Sequence, residues 1–183
     1  MAVEPVFTVP DEIDFRGAIA VTQSLLDAIE QDAVTAGTID TTIRALVRHV
    51  DGARGFFVTY LSDDRPLADH LMPTIIAALQ SAPTVVSPLL VKNLAMSTAM
   101  AITHRRNQDP VMATGSDRVR SRTAQLIQAL QLPEVDVEAH DLMQAIETQQ
   151  GNYEGFLNRW HYDTEQRQAI WHTLNAIGTG SRQ

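Results

Sequence analysis

The side chains with the widest chemical scope are six histidines, His49, His70, His104, His140, His161 and His172. Helical metal sites draw ligands from one face, as Glu-x-x-His pairs or His-x-x-x-His. Neither spacing occurs here. Asp136/His140 and His161/Glu165 are four apart and share a helix face, a spacing that ordinary surface pairs also use. No metal site is expected. The absence of cysteine removes thiol catalysis, disulfides, Cys-ligated zinc and iron–sulfur clusters together. No G-x-S-x-G elbow is present. Gly52-Ala-Arg-Gly55 and Gly178-Thr-Gly180 lack the strand–loop–helix setting of a phosphate loop. Asp63-Asp64 sits in a turn, where carboxylates cap. A non-catalytic chain without cofactor is expected.

Charge patterning is more informative. Between His104 and Thr123, five arginines stand against Asp109 and Asp117, a local excess of +3 in a chain of net charge −8. If the helices before and after Asp109 form a hairpin, Arg105, Arg106, Arg118 and Arg122 converge near their connection. Planar guanidinium forks suit carboxylate or phosphate, so the four form a candidate patch for an anion or a partner. The same arginines also serve to complement a helix dipole or to pair with the surplus acids of the chain. A second candidate is the polar stripe Asn93, Ser97 and His104 on an otherwise apolar helix. Buried polar groups need hydrogen bonds, met by a ligand pocket or by back-bonding to carbonyls. Five of the ten aromatics crowd between Tyr153 and Trp171. Of these, Tyr153, Phe156 and Trp160 lie at i, i+3 and i+7, and serve either as core or as interface anchors.

These groups must be positioned by helices. Residues 1–10, with two prolines, read as an extended arm. Asp11 or Asp14 caps a helix expected to run to about Ala36, with Gly37 as its stop. Asp40 is expected to cap the next. Gly55-Phe-Phe-Val-Thr-Tyr-Leu61 favours a strand by residue type, but no second strand-like run exists to pair with it, so helix is expected. Pro73, Pro83, Pro110 and Pro133 each suit a first helical turn. The helix after Pro110 is expected to run to Gln131 with Met112, Val119, Leu126 and Leu130 on one stripe, the alternative being a break at Gly115 that leaves Ser116 to cap a shorter helix. Asn152 is read as the cap of a short helix, and Asp163 with Gln166 as a capping box for the last. Residues 178–183 are expected to fray.

The hydrophobic content of 44% and charged content of 20% suit a folded globular chain. Val85–Ile102 reaches the length of a membrane span, but Lys92 and Asn93 would each be costly in lipid. A buried central helix is expected there. The expected fold class is all-α: one domain over 1–183, a bundle of about eight helices around a central apolar helix at about 84–107. The start shows no basic n-region and no apolar h-region, so a cytoplasmic protein with no membrane partner is expected.

Two helical families of similar length differ in substance. Tetracycline-repressor-like regulators begin with a basic helix-turn-helix, whereas residues 1–60 hold no such recognition helix. Phycobiliproteins attach bilin through a cysteine. The stretches Val91-Lys-Asn-Leu-Ala-Met-Ser-Thr-Ala-Met100, His104-Arg-Arg-Asn107 and Gly115-Ser-Asp-Arg-Val-Arg-Ser-Arg122 resemble uncharacterised all-helical cyanobacterial proteins, and the resemblance implies a bacterial helical protein. The expected function is non-catalytic binding of another macromolecule, in a regulatory, assembly or adaptor role. The net charge argues against nucleic acid and for an acidic protein surface or a phosphorylated ligand at the arginines. A second copy of the chain is another partner to test. The alternative is a helical-bundle enzyme or small-molecule binder with its pocket beside Asn93, Ser97 and His104.

Overall fold

The computed structural model describes residues 5–179. They form nine α-helices, one 3-10 turn at Pro66–Ala68 and no strand. In chain order the helices are α1 (Phe15–Glu30), α2 (Ala36–Val47), α3 (Val50–Ser62), α4 (Pro73–Leu79) and α5 (Pro83–Arg106). After them come α6 (Pro110–Leu130), α7 (Pro133–Thr148), α8 (Glu154–Arg159) and α9 (Thr164–Thr179). The protein is all-α, with one helix more than the expected eight. Two compact units divide it, Met1–Leu89 and Leu90–Gln183. Their boundary lies inside α5, so the long apolar helix contributes to both.

In the first unit, Asp14 caps α1 by accepting from the Gly17 N–H at 2.7 Å. The helix then stops at Glu30, well before the expected Ala36. Asp32 enters the left-handed region at φ 51°. The N–H groups of Asp32 and Ala33 return to the carbonyls of Ile29 and Ala28 at 3.1 and 2.9 Å. That bonding pattern usually carries glycine, and Asp32 gave no signal of it. Gly37 is therefore no stop: it lies in the first turn of α2, which Thr35 caps by accepting from the Thr38 N–H. Asp40, the expected cap, sits within α2 and pairs with Arg44 at 2.7 Å.

The strand-like run is helical within α3, because helical spacing puts Phe56, Phe57, Tyr60 and Leu61 into the core. Phe56 stacks on Tyr60 at 5.2 Å between centroids. Gly55 lets α1 approach closely: a Cβ added there would lie 2.5 Å from the Ala18 Cβ and 2.8 Å from the Phe15 carbonyl oxygen. Arg65, in what read as a plain turn, bonds Asp63 at 2.7 Å and Asp27 at 2.6 Å, clamping the end of α1 to the loop after α3.

In the second unit α9 packs against α7 and α6, and α8 against α7. Asp109 caps α6 through the Met112 N–H at 3.0 Å. The helix runs from Pro110 to Leu130 through Gly115 without a break, as the reading to Gln131 expects and the alternative break at Gly115 does not. Met112 is exposed rather than on the apolar stripe, and Ala113 is buried in its place. α8 starts at Glu154 with no side-chain cap; Asn152, its expected cap, donates instead to Asp141. The buried threonines Thr22, Thr59, Thr98 and Thr123 donate to carbonyls of their own helices, Thr98 to that of Leu94 at 2.7 Å, whereas the buried Ser87 Oγ meets no hydrogen-bond partner among the described residues. Residues 5–10 of the expected arm carry no regular structure, and residues 1–4 lie outside the described residues. Of the tail expected to fray, 178 and 179 complete α9, while 180–183 lie outside the described residues.

Candidate functional site

The arginines of the second unit are drawn together by carboxylates. Arg105, at the end of α5, bonds Asp117 on α6, and Asp117 is also ion-paired with Arg120 at 3.0 Å. Arg106 bonds both Asp163 and Glu165 at the start of α9. Arg118 is half-buried. Arg122 retains only 2% exposure, so it belongs to the interior and not to a surface patch, which corrects the expected four-arginine cluster. Its neighbours along the helix face explain this: Thr123, Leu126 and Leu130 are buried beside it. What remains at the surface is Arg105 and Arg106, each already ion-paired.

The capping box at α9 forms as expected. Asp163 Oδ1 accepts from the Gln166 N–H at 3.0 Å, and Gln166 Oε1 accepts from the Asp163 N–H at 3.1 Å. Gln166 does more than the sequence indicated. Buried, its amide Nε2 donates to the Ala99 carbonyl at 3.1 Å and to Thr103 Oγ1 at 2.9 Å. It thereby ties the start of α9 to the last turns of α5. The Arg106 guanidinium, followed by the Gln166 N–H, holds the Asp163 carboxyl below its ordinary range.

Of the polar stripe, Ser97 Oγ donates to the Asn93 carbonyl at 2.7 Å, so its hydroxyl is used inside α5. Asn93 and His104 are half-buried. Of the aromatics, Tyr153 is buried and its hydroxyl donates to Glu138, which makes it core and no interface anchor. Lys92, the only lysine, lies over its ring at 5.5 Å. Phe156 bridges Tyr153 and Tyr162 edge-on, at 6.1 and 6.0 Å. Trp160 is different. It is 45% exposed at the end of α8.

Val111, which the sequence reading did not single out, and Met112, which it placed on an apolar stripe, follow the end of α5 in the chain. Val111 and Met112 open α6 with 78% and 52% exposure. The Arg106 ion pairs hold the turn after α8, which carries Trp160, against the end of α5, whose turn leads into Val111 and Met112. Apolar residues directly after a cap and a first-turn proline were the available signal, since the first turn of a helix faces outward as often as inward. Among the described residues no three His, Asp or Glu side chains converge as a metal-ligand set.

Burial raises the Tyr162 hydroxyl from its ordinary value to about 12. It raises the Tyr153 hydroxyl as well, with the Glu138 carboxylate adding to the effect. Both phenols are thus favoured neutral in the fold. The Tyr162 contribution is fully present below pH 10 and is lost as pH rises through about 12. Alkaline titration should show delayed phenolate absorbance for Tyr153 and Tyr162. Tyr162 alone should account for about 2 kcal/mol of lost stability across that window. Phenolate forming with a midpoint near 10 and no loss of ellipticity would contradict the burial.

A family model described as uncharacterised conserved protein UCP020893 matches residues 14–177. No curated protein and no solved structure matches the chain.

Proposed function

The chain belongs to that family of uncharacterised conserved proteins, and from this premise we propose that it acts by binding another macromolecule, without catalysis, in a regulatory, assembly or adaptor role. The observation that carries the reading is the exposure of Val111, Met112 and Trp160 on two turns joined by the Arg106 ion pairs. Isolated surface apolar residues are ordinary, but large ones gathered beside arginine resemble the centre of an interface. Arg105 and Arg106 end the helix that leads into Val111 and Met112. An acidic partner surface would have to exchange with Asp117, Asp163 and Glu165. We therefore assign affinity to the apolar residues and place the arginines at the rim, where charge governs association rate and register. A protein with a complementary acidic rim is the partner proposed, in a bacterial cytoplasm. Burial of Leu90, Val91, Leu94 and Ala95 on α5 supports packing of that helix in protein rather than in lipid.

The test is purification of tagged protein from native cells, comparing wild type with Trp160→Ala and Val111→Asp. A stoichiometric partner should be lost by roughly thirtyfold in affinity with Trp160→Ala, as for an interface anchor. Melting temperature should hold, because both side chains are exposed. A partner retained by both variants would remove the assignment. Self-association abolished by the same changes would identify the partner as a second copy of the chain.

A further inference from the structure

A second surface of the same unit points to a small ligand. A cavity of about 590 Å³ lies among α7, α8 and α9, within the roughly 300–1,000 Å³ that holds drug-sized molecules. Its accessible apolar wall is the half-buried Ile146, with Ala145, Leu157 and Tyr162 buried behind it. Arg167 supplies its cation. The guanidinium Nε donates to the Tyr162 carbonyl at 2.9 Å, which fixes the plane of the fork. Among the described residues its terminal nitrogens meet no carboxylate or other acceptor. That sets Arg167 apart from Arg105 and Arg106, each neutralised by acids. Two carboxylates also line the cavity, Asp163 and Glu154. Asp163 is already held by Arg106 and the Gln166 N–H. Glu154, exposed at the start of α8, opposes an anion and among the described residues has no ion-pair partner of its own, whereas the charge of Asp163 is offset by Arg106.

We propose that this cavity binds a small monocarboxylate with an apolar body, its carboxylate on the Arg167 fork and its chain over Ile146. A fork with two terminal donors in plane accepts a carboxylate through paired charge-assisted hydrogen bonds. An alcohol offers it one weak acceptor, and an amine offers it like charge. The wall at Ile146 then adds affinity with each methylene it covers, at about fourfold per buried group.

Octanoate, octanol and octylamine are the probes, titrated calorimetrically into the full chain at low ionic strength. Octanoate should bind at least about tenfold more tightly than either uncharged or cationic analogue. Decanoate should bind roughly tenfold more tightly than octanoate. Arg167→Gln should erase the preference for the acid. Glu154→Gln, at an exposed position that leaves folding intact, should tighten octanoate a few-fold, and less so as salt is added. Val111→Asp should leave octanoate binding unchanged, which separates this site from the partner surface. Equal binding of octanol and octanoate, undiminished octanoate binding by Arg167→Gln, or no heat with decanoate would each overturn the proposal. Should Arg167→Gln fail to fold, the ranking of the three probes on wild type and the response of Glu154→Gln decide the matter.

Discussion

Gly55→Ala is expected to cost the protein about 3 kcal/mol, although the same change inside an exposed helix is usually stabilising by nearly 1 kcal/mol. The sign reverses because of what stands opposite. The added methyl would meet the Ala18 Cβ at 2.5 Å, the Phe15 carbonyl oxygen at 2.8 Å and the Ile19 nitrogen at 3.0 Å. Two of these are backbone atoms of α1, so relief requires the helix to move away from α3. That movement would open the contacts of Leu25 and Leu26, both buried. Gly115 is the internal control: a Cβ there meets nothing within 4 Å. Gly115→Ala in α6 should raise stability by about 0.5–1 kcal/mol. Chemical denaturation of the two variants therefore moves the midpoint in opposite directions. Adding Ala18→Gly to Gly55→Ala should recover more than about 1 kcal/mol, since neighbours in contact are coupled. A neutral Gly55→Ala would mean that α1 and α3 do not approach as closely as described.

The second large effect is expected at Gln166. Its amide serves three bonds, accepting from the Asp163 N–H and donating to the Ala99 carbonyl and the Thr103 hydroxyl. Gln166→Leu keeps the volume and should cost about 2 kcal/mol for the lost cap and tie. Gln166→Glu keeps the capping acceptor but turns the donor into a second carboxylate oxygen. That oxygen would face the Ala99 carbonyl in a buried site, beside the Asp163 carboxylate. Stranded buried charge is penalised by roughly 3–5 kcal/mol, so the closer mimic in shape should be the worse replacement. Thermal denaturation of both variants near neutral pH tests the order. Glu tolerated better than Leu would show that Nε2 does not donate to α5.

Much of the fold was legible because helix ends carry short-range chemistry. Asp14, Asp109 and the Asp163/Gln166 box all cap as their types require, and Pro73, Pro83, Pro110 and Pro133 each open a helix. The first reversal was illegible for the same reason inverted, because Asp32 adopts a left-handed conformation that usually goes to glycine. The site was harder. Arg105 and Arg106 were found as charges, but their partners lie twelve and fifty-seven residues away, beyond any pattern of spacing. Arg122 has the polarity of a surface residue and lies in the core; only packing between helices decides that. Trp160 and Tyr153 belong to one aromatic cluster in sequence, yet one faces solvent and the other does not. The cavity bearing Arg167 is a product of how α7, α8 and α9 meet, and no motif announces it.

The lone lysine over the Tyr153 ring gives the chain a built-in chemical reporter. Thirteen of its fourteen fixed cations are guanidinium groups, which amine-acylating reagents leave untouched. Lys92 is half-buried in α5, so acylation of that one side chain must wait for the helix to open around it. Its rate, divided by the rate in the unfolded chain, reads the opening equilibrium at a single defined place. If that equilibrium responds to denaturant as steeply as global unfolding does, α5 opens only when the whole protein does. A shallower slope would reveal a sub-global opening of the second unit. A mass shift on one peptide is thus enough to follow the cooperativity of the fold.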